Sequence, residues 1–223
     1  MIVVHHLENS RSQRVLWLLE ELKLKYEVKR YARDPKTMLA PAELKQVHPL
    51  GKSPVINDGD ITVAESGAII EYLLDTYGEG RLRPAPGTPE RRRFTYWLHF
   101  AEGSAMPLMV MKLVFEQVRK AKVPFFLKPV LNGVANKAGS SFLDPNIDAQ
   151  HRFIESELAA RPWFAGSEFS AADNQMSFPL EAAASRTALA SKYPKAAAWL
   201  ERIHARPAYK AALKVGGPYN LLK

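Results

Sequence analysis

The chain has 223 residues, 47% of them hydrophobic, a net charge of +8 and no cysteine. That length carries one large or two modest domains with a sizeable core, and a 10% aromatic content with mixed charge argues against a disordered chain. Without cysteine, a disulfide framework, a zinc–thiolate site and a cysteine nucleophile are all excluded.

No apolar run approaches the ~18 residues of a membrane span. Residues 1–7 hold two histidines instead of an apolar leader core, so the expected location is cytoplasmic. Charge is uneven: residues 1–80 hold 10 Lys+Arg against 12 Asp+Glu, and residues 81–223 hold 21 against 11. The basic residues of the second part are spread through helical periods, with one tight cluster at Arg91, Arg92 and Arg93. This pattern points to solvated helix faces and small anionic partners, not to nucleic acid.

In chain order, residues 2–7 (IVVHHL) predict a short buried strand. A polar loop follows, in which Ser10 or Ser12 is placed to cap a helix carrying Val15, Leu16, Leu18, Leu19 and Leu22. Tyr26 to Tyr31 predicts a second strand, parallel to the first with the helix as crossover. A proline-containing loop and a short helix over 42–47 lead to Ser53-Pro54-Val55-Ile56, read as a strand with proline at its start. Asn57-Asp58-Gly59-Asp60 predicts a hairpin turn, and residues 61–63 the returning strand. Ala64-Glu65-Ser66 opens a helix that Gly78 and Gly80 end.

This order describes a small α/β layer domain over 1–80 with a mixed sheet. Residues 81–89, with three prolines and a glycine, read as a linker. From 90 to 223 the periodicity is helical throughout, with stretches over 106–120, 125–139, 147–159, 172–190 and 194–205.

Asn9-Ser10-Arg11-Ser12-Gln13-Arg14, His48-Pro49-Leu50-Gly51-Lys52-Ser53-Pro54-Val55 and Ala64-Glu65-Ser66-Gly67-Ala68-Ile69 together resemble the glutathione-binding half of cytosolic glutathione transferases. Ala165 to Asp173 resembles the capping motif of that family's helical domain. The resemblance covers essentially the whole chain, with a flavour of fungal and bacterial branches. It implies a thioredoxin-like domain of four strands joined to an all-helical domain, with glutathione as co-substrate and no metal. It further implies a small apolar electrophile and a homodimer as partners.

The resemblance also implies residue roles. The bond into Pro54 would be cis, turning the backbone of Ser53 toward glutathione so that the tripeptide pairs like an added strand; an ordinary edge proline is the plain alternative. Ser66 and the N–H groups at its helix start would hold the γ-glutamyl carboxylate, with Glu65 near the amino group and Lys52 near the glycine carboxylate. A free thiol has a pKa of ~8.5, so a donor must stabilise the thiolate. Ser10 matches the catalytic serine of serine-type relatives, with Ser12 the competitor and the simpler helix cap. Arg11 or Arg14 would add positive field near the sulfur, or be a plain surface arginine or one paired with Glu20 or Glu8. Glu102 would reach the γ-glutamyl amine across a dimer interface, or stand as an exposed helix glutamate.

Ser170 and Asp173 form an S-x-x-D capping arrangement of structural role. Asn174 departs from the apolar residue expected after it, with Met176 and Phe178 expected to supply the packing. Met106 and Met109 are candidates for the electrophile pocket. His5 and His6 alternate in a strand and face opposite sides, so they share no metal, and His48, His99, His151 and His204 lack metal-ligand spacing. Thiolate attack on an electrophile is the leading function. The alternatives are glutathione-dependent peroxide or disulfide reduction, and a non-catalytic ligand carrier or interaction module.

Overall fold

A computed structural model describes residues 1–217, 219 and 221. The first part is a four-stranded sheet of β1 (Ile2–Leu7), β2 (Tyr26–Tyr31), β3 (Val55–Asp58) and β4 (Ile61–Ala64) in the order β2-β1-β3-β4. β1 runs parallel to β2, and β3 pairs antiparallel with both β1 and β4. The parallel pair needs a crossover, and α1 (Ser12–Leu22) supplies it.

The hairpin between β3 and β4 is tighter than the sequence predicts. Asn57 and Asp58 pair with Thr62 and Ile61, leaving Gly59 (φ 58°) and Asp60 as a two-residue loop. Ser53 and Pro54 precede the strand instead of starting it. Proline lacks the N–H a ladder uses. Beyond Val55, which pairs with His5, the Ser53 hydroxyl continues the link to β1: it donates to the His5 carbonyl at 2.8 Å and accepts the Leu7 N–H at 3.3 Å.

A one-turn helix α2 (Leu44–Val47) precedes this segment, and α3 (Ser66–Tyr77) follows β4. Asp58 at the end of β3 accepts from the hydroxyls of Tyr72 (2.9 Å) and Tyr77, which fastens α3 to the sheet.

The helical part begins at α4 (Pro89–Phe100), N-capped by Thr88, whose hydroxyl accepts the Arg91 N–H at 3.1 Å. A π-helical turn over Ala101–Ala105 joins it to α5 (Met106–Lys120). After a 3₁₀ turn come α6 (Lys128–Ala138), a second π turn over Gly139–Leu143, and α7 (Asp144–Ala160). Then follow α8 (Ala171–Arg186), the short α9 (Leu189–Lys192), α10 (Pro194–His204) and α11 (Pro207–Gly216).

Two helices explain why both parts share one core. α8 buries every residue from Ala171 to Ala183, as a helix enclosed on all sides must. α1 buries nine of its eleven residues, Ser12, Gln13 and Arg14 among them, because it lies between the sheet and α8 and α11. The sequence periodicity foresees neither the two π turns nor α11, which follows the last helical stretch it identifies.

Candidate active site

Lys52, Ser53, Pro54, Glu65, Ser66 and Glu102 all line one cleft of about 300 Å³, together with Arg11, His48, Leu50 and Ala64. These six are the residues assigned to glutathione from the sequence. A larger cleft of about 580 Å³ runs along residues 80–85 and 165–170 and carries none of them.

Each wall has a local cause. The Ser53-Pro54 peptide bond is cis. Lys52 follows Gly51, whose φ of 58° suits glycine and where a Cβ would come within 2.8 Å of the Lys45 side chain. Lys52 itself is exposed. Glu65, at the N-cap of α3, takes φ 70°, ψ 126° and is exposed. A positive φ in a residue with a Cβ costs of order 1–3 kcal/mol and clusters at functional positions. Ser66, the first residue of α3, lines the cleft beside Glu65. The Ser66 hydroxyl also accepts from the Gln175 amide of α8 at 3.3 Å.

Glu102 stands on the π turn after α4, a register change of the kind that often marks functional sites. Its carboxylate accepts the Arg11 Nε–H at 2.9 Å on each oxygen and a further bond from Arg14. Burial by itself would raise the Glu102 carboxyl, but the charges and hydrogen bonds of Arg14 and Arg11 outweigh it and hold the group below its ordinary value. Glu102 lines the cleft of its own chain, where Arg11 and Arg14 hold its carboxylate.

Arg14 is buried, donating also to the Gln175 carbonyl. Burial lowers its pKa, with Glu102 opposing. Both guanidinium groups lie over the Phe178 ring, at 5.3 Å for Arg11 and 5.5 Å for Arg14. Arg11 and Arg14 are thus paired arginines with Glu102 as partner, not the Glu8 or Glu20 weighed from the sequence.

Ser10 is 6% exposed and is not among the residues that line the cleft, although its neighbour Arg11 is. Its hydroxyl lies 2.7 Å from that of Ser12 and accepts the Ser12 N–H at 3.2 Å. The Ser12 hydroxyl lies 2.8 Å from His6 Nδ1 and 3.3 Å from the Leu7 carbonyl. The capping expectation is reversed: Ser10 takes a first-turn N–H of α1, and Ser12 points back into β1. His6 Nε2 in turn lies 3.0 Å from the Gly216 carbonyl at the end of α11. His5 faces the other side of the sheet, between the Tyr31 hydroxyl and Asn57.

Met106 and Met109 are corrected as pocket candidates. Each is 3% exposed and belongs to the continuous hydrophobic core, so neither presents surface to a ligand. Ser170 and Asp173 form the reciprocal cap at α8, with Ser170 N–H donating to the Asp173 carboxylate at 3.0 Å. The other Asp173 oxygen accepts from Phe164 N–H at 3.0 Å and from the Trp199 indole at 3.1 Å. Asn174 has a polar purpose: fully buried, it donates from its amide to the Arg14 carbonyl at 2.9 Å and so ties α8 to α1.

Sequence reading misses the roles of His6, Gln175 and Gly216. Their signal is absent because each is defined by a partner far along the chain. Among the described residues, no group of three or more His, Cys, Asp or Glu is arranged to hold a metal, and no helix is long and apolar enough to cross a membrane.

Comparison with known proteins agrees with this fold. Residues 1–75 match the family model of the glutathione S-transferase N-terminal domain, and residues 119–207 that of the C-terminal domain. Glutathione S-transferase 3 of Schizosaccharomyces pombe is 37% identical over 95% of this chain and 86% of its own. A crystal structure of a glutathione S-transferase from Actinobacillus pleuropneumoniae superposes with a TM-score of 0.81 at 36% identity, covering 99% of this chain and 95% of that one. A sphingomonad glutathione S-transferase complexed with glutathione gives a TM-score of 0.72 at 25% identity, covering 96% of this chain and 98% of that one.

Proposed function

The chain belongs to the glutathione S-transferase family, and we propose that it holds glutathione in the cleft between Pro54, Ser66 and Glu102 and directs the thiolate at small apolar electrophiles. The observation that carries the proposal is the convergence of six residues from three separate chain segments on that one cleft.

In this reading the cysteinyl backbone of glutathione pairs with Ser53, extending the sheet by β-augmentation. The γ-glutamyl carboxylate meets Ser66 and the start of α3, where the helix dipole favours an anion. Glu65 and Glu102 hold the amino group, and Lys52 meets the glycine carboxylate. Ser10 donates to the sulfur, with the Arg11 guanidinium adding positive field. A thiolate is the attacking form, and stabilising it lowers the barrier to carbon–sulfur bond formation.

The lack of any cysteine in the chain favours conjugation over reduction through a protein–glutathione mixed disulfide. We divide the chain functionally at 1–80 for glutathione and 90–223 for the electrophile, with 81–89 between them. A cytoplasmic homodimer is the form this reading expects, checked by light scattering and by fractionation.

The test is binding to immobilised glutathione and conjugation of a chloronitrobenzene. Ser10→Ala should retain glutathione and lose on the order of 100-fold in conjugation rate. A protein that ignores glutathione, or a Ser10→Ala variant at full rate, overturns the assignment.

A further inference from the structure

Behind Ser10 runs a hydrogen-bonded chain that the transferase reaction does not by itself call for. Its members are Ser10, Ser12, His6 and the Gly216 carbonyl, at spacings of 2.7, 2.8 and 3.0 Å. The three side chains are 6%, 0% and 3% exposed, so water does not compete along it.

The proton positions follow from which atoms can donate. A carbonyl oxygen only accepts, so His6 Nε2 carries the hydrogen given to Gly216. Neutral imidazole has one N–H, and Nδ1 therefore presents a lone pair. Ser12 donates its single proton to it at 2.8 Å, the Leu7 carbonyl being the more distant acceptor at 3.3 Å, which leaves the Ser12 oxygen to accept the Ser10 proton. The Ser10 oxygen has two lone pairs, one of which takes the Ser12 N–H. The remaining one is the acceptor available to a thiol.

We propose that His6 takes up the proton of the glutathione thiol, passed through Ser10 and Ser12, and holds it while the thiolate reacts. This rests on the reading that Ser10 meets the sulfur. The thiol gives its proton to the Ser10 oxygen, Ser10 gives its own to Ser12, and Ser12 gives its own to His6 Nδ1. The three bonds that carry the proton reverse direction, while His6 Nε2 goes on donating to Gly216. At the end Ser10 donates to the thiolate, Ser12 donates to Ser10, and imidazolium donates at one nitrogen to Ser12 and at the other to Gly216. When the thiolate displaces a leaving group, the proton returns by the same three groups to the cleft and departs with that anion. His6 touches no reacting atom and acts as a positioning residue.

The surroundings suit a base that starts neutral. Burial first, and the Arg30 charge on β2, hold His6 below its ordinary value, while the Gly216 bond and Glu8 pull the other way. From α1 it meets the neutral Ser12, and from α11 the Gly216 carbonyl. A negative charge forming at the sulfur adds to the affinity of the site for the proton.

Proton counting tests this. Glutathione is added to the intact protein in weak buffer with a pH indicator, and thiolate is followed by its ultraviolet absorbance. The wild type should form thiolate while releasing few protons to the medium. His6→Gln and Ser12→Ala should release a proton for each thiolate formed. Their thiolate titration should move to higher pH, with conjugation at neutral pH falling on the order of 100-fold and recovering as pH rises. A wild type that releases a full proton per thiolate overturns the relay whether or not the variants fold, as does a folded His6→Gln with the wild-type proton count. Loss of Ser10→Ala thiolate together with full wild-type release sinks the relay alone. Unaltered thiolate in Ser10→Ala sinks the Ser10 reading beneath it.

Discussion

Arg11 and Glu102 join the two halves of the molecule: the Arg11 Nε–H sits 2.9 Å from each Glu102 oxygen, linking the start of α1 to the π turn after α4. Arg14 shares the same carboxylate from a buried position. Removing the negative charge strands a buried guanidinium, a loss that reaches 3–5 kcal/mol for fully buried pairs. The Glu102 side chain is 32% exposed, so solvent screening reduces this. Glu102→Gln should therefore lower stability by about 1–3 kcal/mol, read from urea unfolding, and weaken glutathione binding. An unchanged midpoint would contradict the strut.

Ser66 is the second test of the cleft. Its hydroxyl is within reach of both the cleft and Gln175. A hydrogen bond to a charged group contributes about 1.5–3 kcal/mol. Ser66→Ala should raise the glutathione Kd roughly 10- to 100-fold by calorimetry, with the fold retained. Equal affinity in the variant would place the γ-glutamyl carboxylate elsewhere.

Asp173 satisfies three buried N–H donors, from Phe164, Ser170 and Trp199. Each donor left unpaired costs about 1–3 kcal/mol. Asp173→Ala should thus lose on the order of 3–5 kcal/mol or fail to accumulate as soluble protein. A loss near that of an exposed cap, about 1 kcal/mol, would show that water replaces the carboxylate.

Acid should destabilise the protein through His151. Burial holds this imidazole down to about 4, with Asp148 pulling the other way. Unfolded histidine titrates near ~6.5, so the unfolded chain binds more protons between these values. The contribution is complete above the unfolded value and is lost as pH falls toward about 4, by up to about 3 kcal/mol. Asp173 has the opposite sign: burial raises its carboxyl to about 6, against the pull of its donors, so its contribution is present in acid and lost as pH rises through that value. His151→Leu removes the first effect and keeps the second, and stability plotted against pH should flatten or reverse its acid limb. An acid limb as steep as the wild type's would assign the effect to other groups.

That Lys52, Ser53, Pro54, Glu65 and Ser66 form one cleft was legible because each stretch is built from local chemistry. Gly51-Lys52-Ser53-Pro54 is a turn running to a strand, and Glu65-Ser66 is a helix start. Both carry their geometry in neighbouring residues. Ser170 and Asp173 were legible for the same reason, since a cap spans one helical turn. The electrophile side was not: Met106 and Met109 read as adaptable apolar residues, and nothing in their spacing distinguishes a pocket wall from a core position.

Polar residues show the same division. Arg14, Asn174 and Gln175 look in sequence like exposed helix positions, yet all three are buried where α1 meets α8. Hydrogen bonds between them span about 160 positions.

The sequence by itself determined the strands, most of the helices, their order and the short motifs that line the cleft, because hydrophobic period and turn chemistry act over a few residues. Only the tertiary structure decided that Glu102 faces Arg11 and Arg14, that the methionines are core, and that His6 stands between Ser12 and Gly216. Those relationships depend on burial and on hydrogen-bond partners 90 to 210 residues apart, and neither quantity exists until the chain has packed.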